Sequence, residues 1–208
     1  MTACDYESLM NLITDRRSVR QFADRPVDRA DIERLVDAAR WAPSNHNRQG
    51  WKFVVFSDAD ELARMGGKVL ESLAGRLAEC PEIPRDRGRE LLAHATGFTL
   101  APCVIMVMHK PPSLAAGKLL AGNPLASGEA LSAAMATQNM LLAACAIGLG
   151  ACVLTGPLLT GDVWEQLDDL PVGFKPTCLL AVGYPSGPPP PAPRKKRLEQ
   201  IIEYRSGE

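Results

Sequence analysis

The stretch from about Ser127 to Ile147 constrains the fold more than any other part of this sequence. Nearly every residue in it is apolar or small, and Gly148 and Gly150 follow it directly. A helix that is apolar all round is buried on most of its sides. In a chain of 208 residues this pattern predicts either a central core helix or a helix at a subunit interface.

Apolar runs rich in β-branched and aromatic residues predict four strands, Trp51–Phe56, Val104–Met108, Ala151–Leu154 and Cys178–Gly183. Helical periodicity predicts further helices over 5–15, between an Asp28 cap and Pro43, and over 60–79, 89–96, 160–169 and 198–204. Prolines and glycines predict an irregular 80–88, a long loop over 110–128 and a stiff extended arm over 185–193. The order of elements predicts a single domain spanning 1–208, with 184–208 as a C-terminal arm. Its class is α/β or α+β, with helices on the faces of a sheet.

Charge and hydropathy exclude several classes of function. The formal net charge is −1, so no overall field favours nucleic acid, and any anion site must be local. The N-terminus lacks a basic segment followed by an apolar run, so no signal peptide is expected. The longest apolar stretch is broken by glycines, so no membrane span is expected. These observations predict a cytoplasmic protein with neither nucleic acid nor membrane as partner.

No two of the six cysteines are spaced as a CxxC motif. Cys103, Cys152 and Cys178 lie in or beside apolar strand-like runs. Buried free thiols in a reducing compartment are therefore expected. The three histidines, His46, His94 and His109, are scattered without a spacing that suits zinc, so no metal site is predicted.

Three segments have the chemistry of an anion and polar-ligand site. Arg16-Arg17-Ser18-Val19-Arg20 and Arg194-Lys195-Lys196-Arg197 are basic clusters near opposite ends of the chain. Arginine forks match phosphate oxygens in pairs, although a solvated basic helix end is an alternative interpretation of the first cluster. The polar segment 43–49 lies between them and offers amides and hydroxyls for the edges of a ring.

The sequence does not support a dinucleotide-binding fingerprint, a P-loop or a hydrolase GxSxG motif. Gly148-Leu149-Gly150 follows a helix and precedes a strand, which is the reverse of the dinucleotide fingerprint. Gly67-Lys68 lacks the first glycine and the Ser/Thr of a P-loop, and no serine lies in GxSxG. Thr155-Gly156 follows a predicted strand, where a glycine lets a flat ligand approach the backbone.

Four segments, in order and with matching spacing, resemble the FMN-dependent nitroreductase family. They are Arg16-Arg17-Ser18-Val19-Arg20-Gln21-Phe22, Ala42 to Trp51, Gly148-Leu149-Gly150 with Thr155-Gly156, and Arg194-Lys195-Lys196. The resemblance implies a nitroreductase-like α+β fold, with a central mixed β-sheet flanked by helices. It also implies an intertwined homodimer with one FMN in each interface.

The resemblance also implies a role for each matching residue. Arg16 and Ser18 would contact the FMN phosphate and ribityl chain with Arg17 adjacent, and Arg20 would reach the pyrimidine edge of the flavin. The partner subunit's loop would pack on the ring through Pro43, Ser44 and Asn45, supported by Asn47 and Gln49. The other face of the ring would lie on Val153, Leu154, Thr155 and Gly156. Arg194, Lys195 or Lys196 would complete the phosphate clamp.

The implied reaction is ping-pong hydride transfer, from NADH or NADPH to FMN and then to a nitroaromatic or quinone-like acceptor. The flavin carries this chemistry, so no side chain is assigned as catalytic. Relatives of other kinds leave alternatives open: reductive dehalogenation, flavin destruction, azoline oxidation, or flavin binding without catalysis. The chain departs from familiar members at Thr155, where a Glu is frequent, and at Gly50, where a Pro is common. The segments over 80–128 resemble nothing that assigns a substrate.

Overall fold

A four-stranded sheet, ordered β1-β2-β4-β3, forms the centre of the protein in a computed structural model that describes residues 5–112, 128–167 and 169–205. The strands are β1 Trp51–Phe56, β2 Cys103–His109, β3 Gly150–Leu154 and β4 Lys175–Gly183. All three strand pairs are antiparallel. In the described part of the chain, parallel pairing is confined to an isolated bridge between Ser18 and Ala151. A mixed sheet was expected, whereas the four strands themselves pair only in antiparallel fashion.

In the described part of the chain six α-helices surround the sheet: α1 Tyr6–Asp15, α2 Arg29–Ala39, α3 Ala59–Ala78, α4 Arg85–Thr96, α5 Gly128–Ala146 and α6 Gly161–Glu165. Local chemistry explains where several of them begin. Asp58 accepts a hydrogen bond from the Glu61 backbone N–H at 2.7 Å, which caps the start of α3. None of the described helices combines the length and the apolar composition that crossing a membrane requires.

Most predicted elements are confirmed, and the differences lie at their ends. The helix predicted to resume at Arg89 begins earlier, at Arg85, directly after Pro84. The last strand begins at Lys175 rather than Cys178, because its first residues pair with the end of β2 despite their polarity. The helices predicted over 160–169 and 198–204 are wrong in length: they shrink to α6 and to one 3-10 turn, Leu198–Gln200. Most of the predicted loop 110–128 lies outside the described residues.

Two hydrophobic cores lie on opposite faces of the sheet. Val104, Met106 and Met108 of β2 point to the core that α3 and α4 cover. Their neighbours Ile105 and Val107 point to the core that α2 and α5 cover. Because side chains alternate along a strand, a strand covered on both faces needs an unbroken apolar run. This accounts for the continuous Val104–Met108 sequence.

Helix α5 is buried or half-buried on most of its sides, as expected, and five of its 19 residues are exposed: Leu131, Ala134, Met135, Gln138 and Ala146. Its inner face includes Ala133, Ala136, Met140 and Ala144, which pack in the second core. On its outer face, Leu131 is 53% and Met135 41% exposed. Helix α5 is therefore a core helix that leaves Leu131 and Met135 exposed, and its place at a subunit interface stays a prediction.

Five cysteines in the described residues are free, and Cys103, Cys152 and Cys178 are buried as expected. Burial raises the pKa of the Cys103 thiol to about 11, so this group is protonated at neutral pH. The strand thiols therefore behave as small apolar side chains of the core.

The N-terminal segment and the C-terminal arm close the β3 edge of the sheet. The Val19 N–H donates to the Ala151 carbonyl at 3.1 Å, and the Ala23 N–H donates to the Tyr184 carbonyl at 2.8 Å. This approach requires a glycine at position 150, where a Cβ would lie 2.7 Å from the Val19 Cβ. The opposite edge, β1, has no second partner strand in the described part of the chain.

We predict that Gly150→Ala lowers the free energy of unfolding by about 1–3 kcal/mol, because the added methyl group overlaps Val19 in a packed contact. Denaturant unfolding at equilibrium measures this change. The matched control is Gly67→Ala in α3, where a Cβ meets nothing within 4 Å. That substitution should be neutral or stabilising by up to about 1 kcal/mol. Equal stability of the two variants would contradict the proposed contact.

Candidate functional site

Three of the residues predicted to bind the cofactor, Arg16, Ser18 and Arg20, lie near Cys152 of β3. Ser18 forms an isolated parallel β-bridge with Ala151 of β3, and the next residue, Val19, is buried. Burial raises the pKa of the Cys152 thiol, while the positive charges of Arg20 and Arg16 and a hydrogen bond from Ser18 act in the opposite direction. Arg16, Ser18 and Arg20 thus lie together beside β3, because the extended segment after α1 runs along this strand.

Arg17 has a different environment. Its Nη1 donates to the carbonyls of Thr14 and Arg16, and its Nε donates to the Pro190 carbonyl at 3.2 Å. The side chain therefore ties the first basic cluster to the proline-rich arm. This contact joins the two ends of the chain four residues before Arg194.

Arg20 lines two cavities. The first, of about 360 Å³, lies between Ser18–Gln21 and the arm residues Pro185–Pro190. The second, of about 130 Å³, extends towards α4, and its lining includes Arg20, His94, Cys152 and Leu154. One wall is cationic and the rest is largely apolar, which suits a ligand with a charged tail and a flat apolar body.

The end of β3 contributes Cys152 and Leu154 to the smaller cavity, whereas Val153, Thr155 and Gly156 line neither of the two cavities. Val153 is half-buried, Leu154 is buried, and Thr155 is exposed where the strand gives way to the 3-10 turn Gly156–Leu159. A Cβ at Gly156 would lie 3.4 Å from the Ala95 Cα, so α4 packs closely against this turn. Glycine here permits the helix and the strand end to approach each other.

His94 is the residue of this site that sequence reasoning missed. It was one of three scattered histidines, with no motif around it. Its position beside Arg20 follows from the packing of α4 on the Thr155-Gly156 turn. In the sequence His94 is marked only by its position in the last turn of a predicted helix, and that position does not by itself indicate a binding site.

The loop 43–49 packs on α5. The Asn45 N–H donates to Ser132 Oγ at 3.1 Å, and Arg48 forms an ion pair with Glu129 at 3.3 Å. Within the loop, the Gln49 N–H donates to Ser44 Oγ at 3.0 Å and its side-chain amide donates to Asn47 Oδ1 at 3.3 Å. Pro43, Asn45, Asn47 and Gln49 are exposed. The described contacts of the loop are therefore with α5 and with itself, and not with the Arg20 cavities of the same chain.

The second basic cluster is exposed along the arm. Arg194, Lys195 and Lys196 line a separate open concavity with Arg197, Glu199 and Gln200. Within one chain the first cavity ends on the arm at Pro190, so the described contacts do not bring this cluster to Arg16. The Arg17 side chain reaches the arm at Pro190, four residues short of this second cluster.

The charges of the site fit an anionic ligand. Among residues 5–112, 128–167 and 169–205, no carboxylate forms an ion pair with Arg16 or Arg20, although eight other pairs form. Arg20 donates instead to the Ser18 carbonyl at 3.4 Å. Guanidinium groups without acidic partners beside a cavity are available to a phosphate. The same described residues hold no cluster of three or more His, Cys, Asp or Glu suited to a metal.

A sequence model of the Nitroreductase family matches residues 13–184, so the chain belongs to the nitroreductase family. This confirms the resemblance to the family, and three of the four segments lie within the matched residues, whereas Arg194-Lys195-Lys196 lies beyond them. An "FMN reductase (NADPH)" from Bacillus subtilis is 26% identical over 190 residues, covering 88% of this chain and 69% of that protein.

Solved structures share the fold. A "BluB-like flavoprotein" from Clostridium difficile 630 has a TM-score of 0.79 at 24% identity, covering 95% of this chain and 99% of that one. A nitroreductase from Bacteroides fragilis, solved with bound FMN, has a TM-score of 0.71 at 19% identity, covering 95% and 98%. At these identities the likeness establishes the fold, which confirms the predicted α+β class.

We predict that Arg17→Ala speeds tryptic cleavage in the basic cluster 194–197. Losing a hydrogen bond of about 1 kcal/mol should raise the population of the released arm roughly fivefold. Limited proteolysis followed by mass spectrometry measures the rate at these sites. Arg29→Ala, which removes an exposed arginine of α2, is the control. Unchanged cleavage in Arg17→Ala would show that the bond to Pro190 does not hold the arm.

Proposed function

We propose that this protein is an FMN-dependent oxidoreductase that uses NADH or NADPH to reduce nitroaromatic, quinone or related acceptors. The observation that carries the proposal is Arg20, which lines two cavities next to the N-terminal segment that runs beside β3. The charges of Arg20 and Arg16 both act on Cys152 of β3, and neither arginine forms an ion pair with a carboxylate in the described part of the chain. The B. subtilis relative named an NADPH-dependent FMN reductase and the FMN-bound B. fragilis structure support this assignment.

The chain's residues would divide the binding of FMN between them. Arg16 and Ser18 would hold the phosphate and ribityl chain. Arg194, Lys195 or Lys196, which line a separate concavity in the single chain, would complete the clamp when the arm moves towards the bound phosphate. Arg17 would keep the arm against this cavity through Pro190. Val153, Leu154, Thr155 and Gly156 would support one face of the ring, with backbone N–H groups available where β3 ends.

Arg20 would lie at the pyrimidine edge of the ring, with His94 across the smaller cavity. When bound, FMN supplies the hydride-transfer chemistry, and the protein supplies binding, orientation and electrostatics. A fixed positive charge at Arg20 favours the more negative, reduced state of the ring. Thr155 has no carboxylate, so the turn after β3 can contribute backbone donors but no acid.

We further propose that the protein is a homodimer in which loop 43–49 of one subunit covers the flavin of the other. Exposed apolar side chains are concentrated on the outer faces of α1 and α5 and on the tail: Tyr6, Leu9, Ile13, Leu131, Met135, Leu198, Ile201, Ile202 and Tyr204. Apolar surface of this extent favours association. Among the described strands β1 pairs with β2 alone, and a sheet edge of this kind favours strand addition by another chain.

Absorbance and anaerobic reduction of the purified protein test the function. A yellow, flavin-containing protein that bleaches on addition of NADH or NADPH is the expected result. Bound flavin that neither nicotinamide reduces would favour a different flavin reaction or a binding role. A colourless protein that takes up no added FMN would refute the assignment.

We predict that Arg16→Ala weakens FMN binding by about 1.5–3 kcal/mol, the scale of a lost hydrogen bond to a charged group. Titration of FMN fluorescence against the FMN-free protein measures the dissociation constant. Arg34→Ala, an exposed arginine of α2 paired with Asp31, is the control and should leave affinity unchanged. Full affinity in Arg16→Ala would remove this residue from the phosphate site.

We predict that Met135→Glu shifts the protein from dimer to monomer, because it places a charge on the outer apolar face of α5. Sedimentation velocity at several concentrations measures the change. Leu70→Glu is the matched control, since Leu70 is a comparably exposed apolar residue of a helix, 46% against 41% for Met135. An unsubstituted protein that sediments as a monomer at all concentrations would overturn the dimer.

A further inference from the structure

The backbone of loop 43–49 is strained at three positions. His46, Asn47 and Gln49 have φ values of 50°, 52° and 49°, and none of them is glycine. Residues other than Gly rarely adopt this left-handed backbone region, and Asn is among those that tolerate it best. Strained backbone of this kind persists only when its surroundings hold it, and it is concentrated at functional sites.

The start of α5 is what holds the loop. The Asn45 N–H donates to Ser132 Oγ at 3.1 Å, and a Cβ at Gly128 would lie 2.9 Å from Asn45 Nδ2. The strained segment therefore begins at the residue directly after Asn45, which is itself in close contact with α5. The remaining attachment is the ion pair between Arg48 Nη1 and Glu129 Oε1, at 3.3 Å.

Glu129 is buried and needs a positive partner. Its side chain is 7% exposed, whereas that of Arg48 is 57% exposed. A position in the first turn of α5 favours its negative charge through the helix dipole, but a buried carboxylate without a cation is costly. His109 is a poor substitute: burial lowers its pKa, and Lys175 lowers it further against the opposing effect of Glu129. Among the described residues, Arg48 is therefore the cation that pairs with Glu129.

We propose that Arg48 and Glu129 are positioning residues that hold loop 43–49 in the conformation required over the flavin ring of the partner subunit. The inference rests on the proposed function. Neither side chain needs to touch the cofactor, because both act through the backbone of the loop. Ser44 and Asn45, which would contact the ring, lie within four residues of Arg48 and share the α5 platform.

Hydrogen exchange of the FMN-free protein tests whether the pair holds the loop. Arg48→Gln and Glu129→Gln should each speed exchange of the amides of 44–50 roughly tenfold, relative to those of β1. The double variant should exchange no faster than the single ones, since both remove the same interaction. The matched control is Arg29→Gln with Glu33→Gln, which breaks an ion pair on the exposed face of α2 at 91% and 64% exposure. Loop exchange equal to the control would overturn the proposal.

FMN affinity and conservative rescue test whether the held loop serves the site. Arg48→Gln should raise the FMN dissociation constant roughly tenfold, and Arg48→Lys should restore most of the affinity. A faster-exchanging loop with unchanged FMN affinity would overturn the positioning role. Failure of the unsubstituted protein to bind FMN counts against the proposed function alone, because exchange is measured without the cofactor.

Discussion

The docking of residues 18–22 along β3 is the contact on which the candidate site depends. It rests on one backbone hydrogen bond, from Val19 to Ala151, and on a glycine at 150 that lets the segments meet. The same contact covers one edge of the sheet and places Ser18 and Arg20 beside β3. Part of a basic run that would otherwise be a solvated helix end thereby lines cavities, Ser18 the first of them and Arg20 both.

Helix α5 serves two faces of the molecule. Its inner face completes a hydrophobic core, and its first turn is the platform for the strained loop 43–49. On its outer face the apolar side chains of Leu131 and Met135 are exposed. The proposed dimer interface and the proposed ring-covering loop would therefore be carried by one rigid element, so that association and completion of the site are coupled.

The sequence predicted the strands and the long helices well because their apolar spacing is strong. It failed where tertiary pairing overrides local preference. Lys175, Pro176 and Thr177 lack a strand pattern, yet they extend β4 because the end of β2 offers a partner. The tail after Arg197 has helical spacing, but within one chain its apolar residues contact no core and only a single turn forms. His94 escaped notice because no local motif marks it.

The sequence by itself determined the family, the buried strands and the two basic clusters, since each depends on residue types and spacings along the chain. Tertiary structure decided how they are used. Folding brings Arg20 and His94 to one cavity, turns Arg17 towards Pro190 and pairs Arg48 with Glu129 across 81 residues. Such contacts arise from packing between distant segments, and periodicity within a segment carries no information about them.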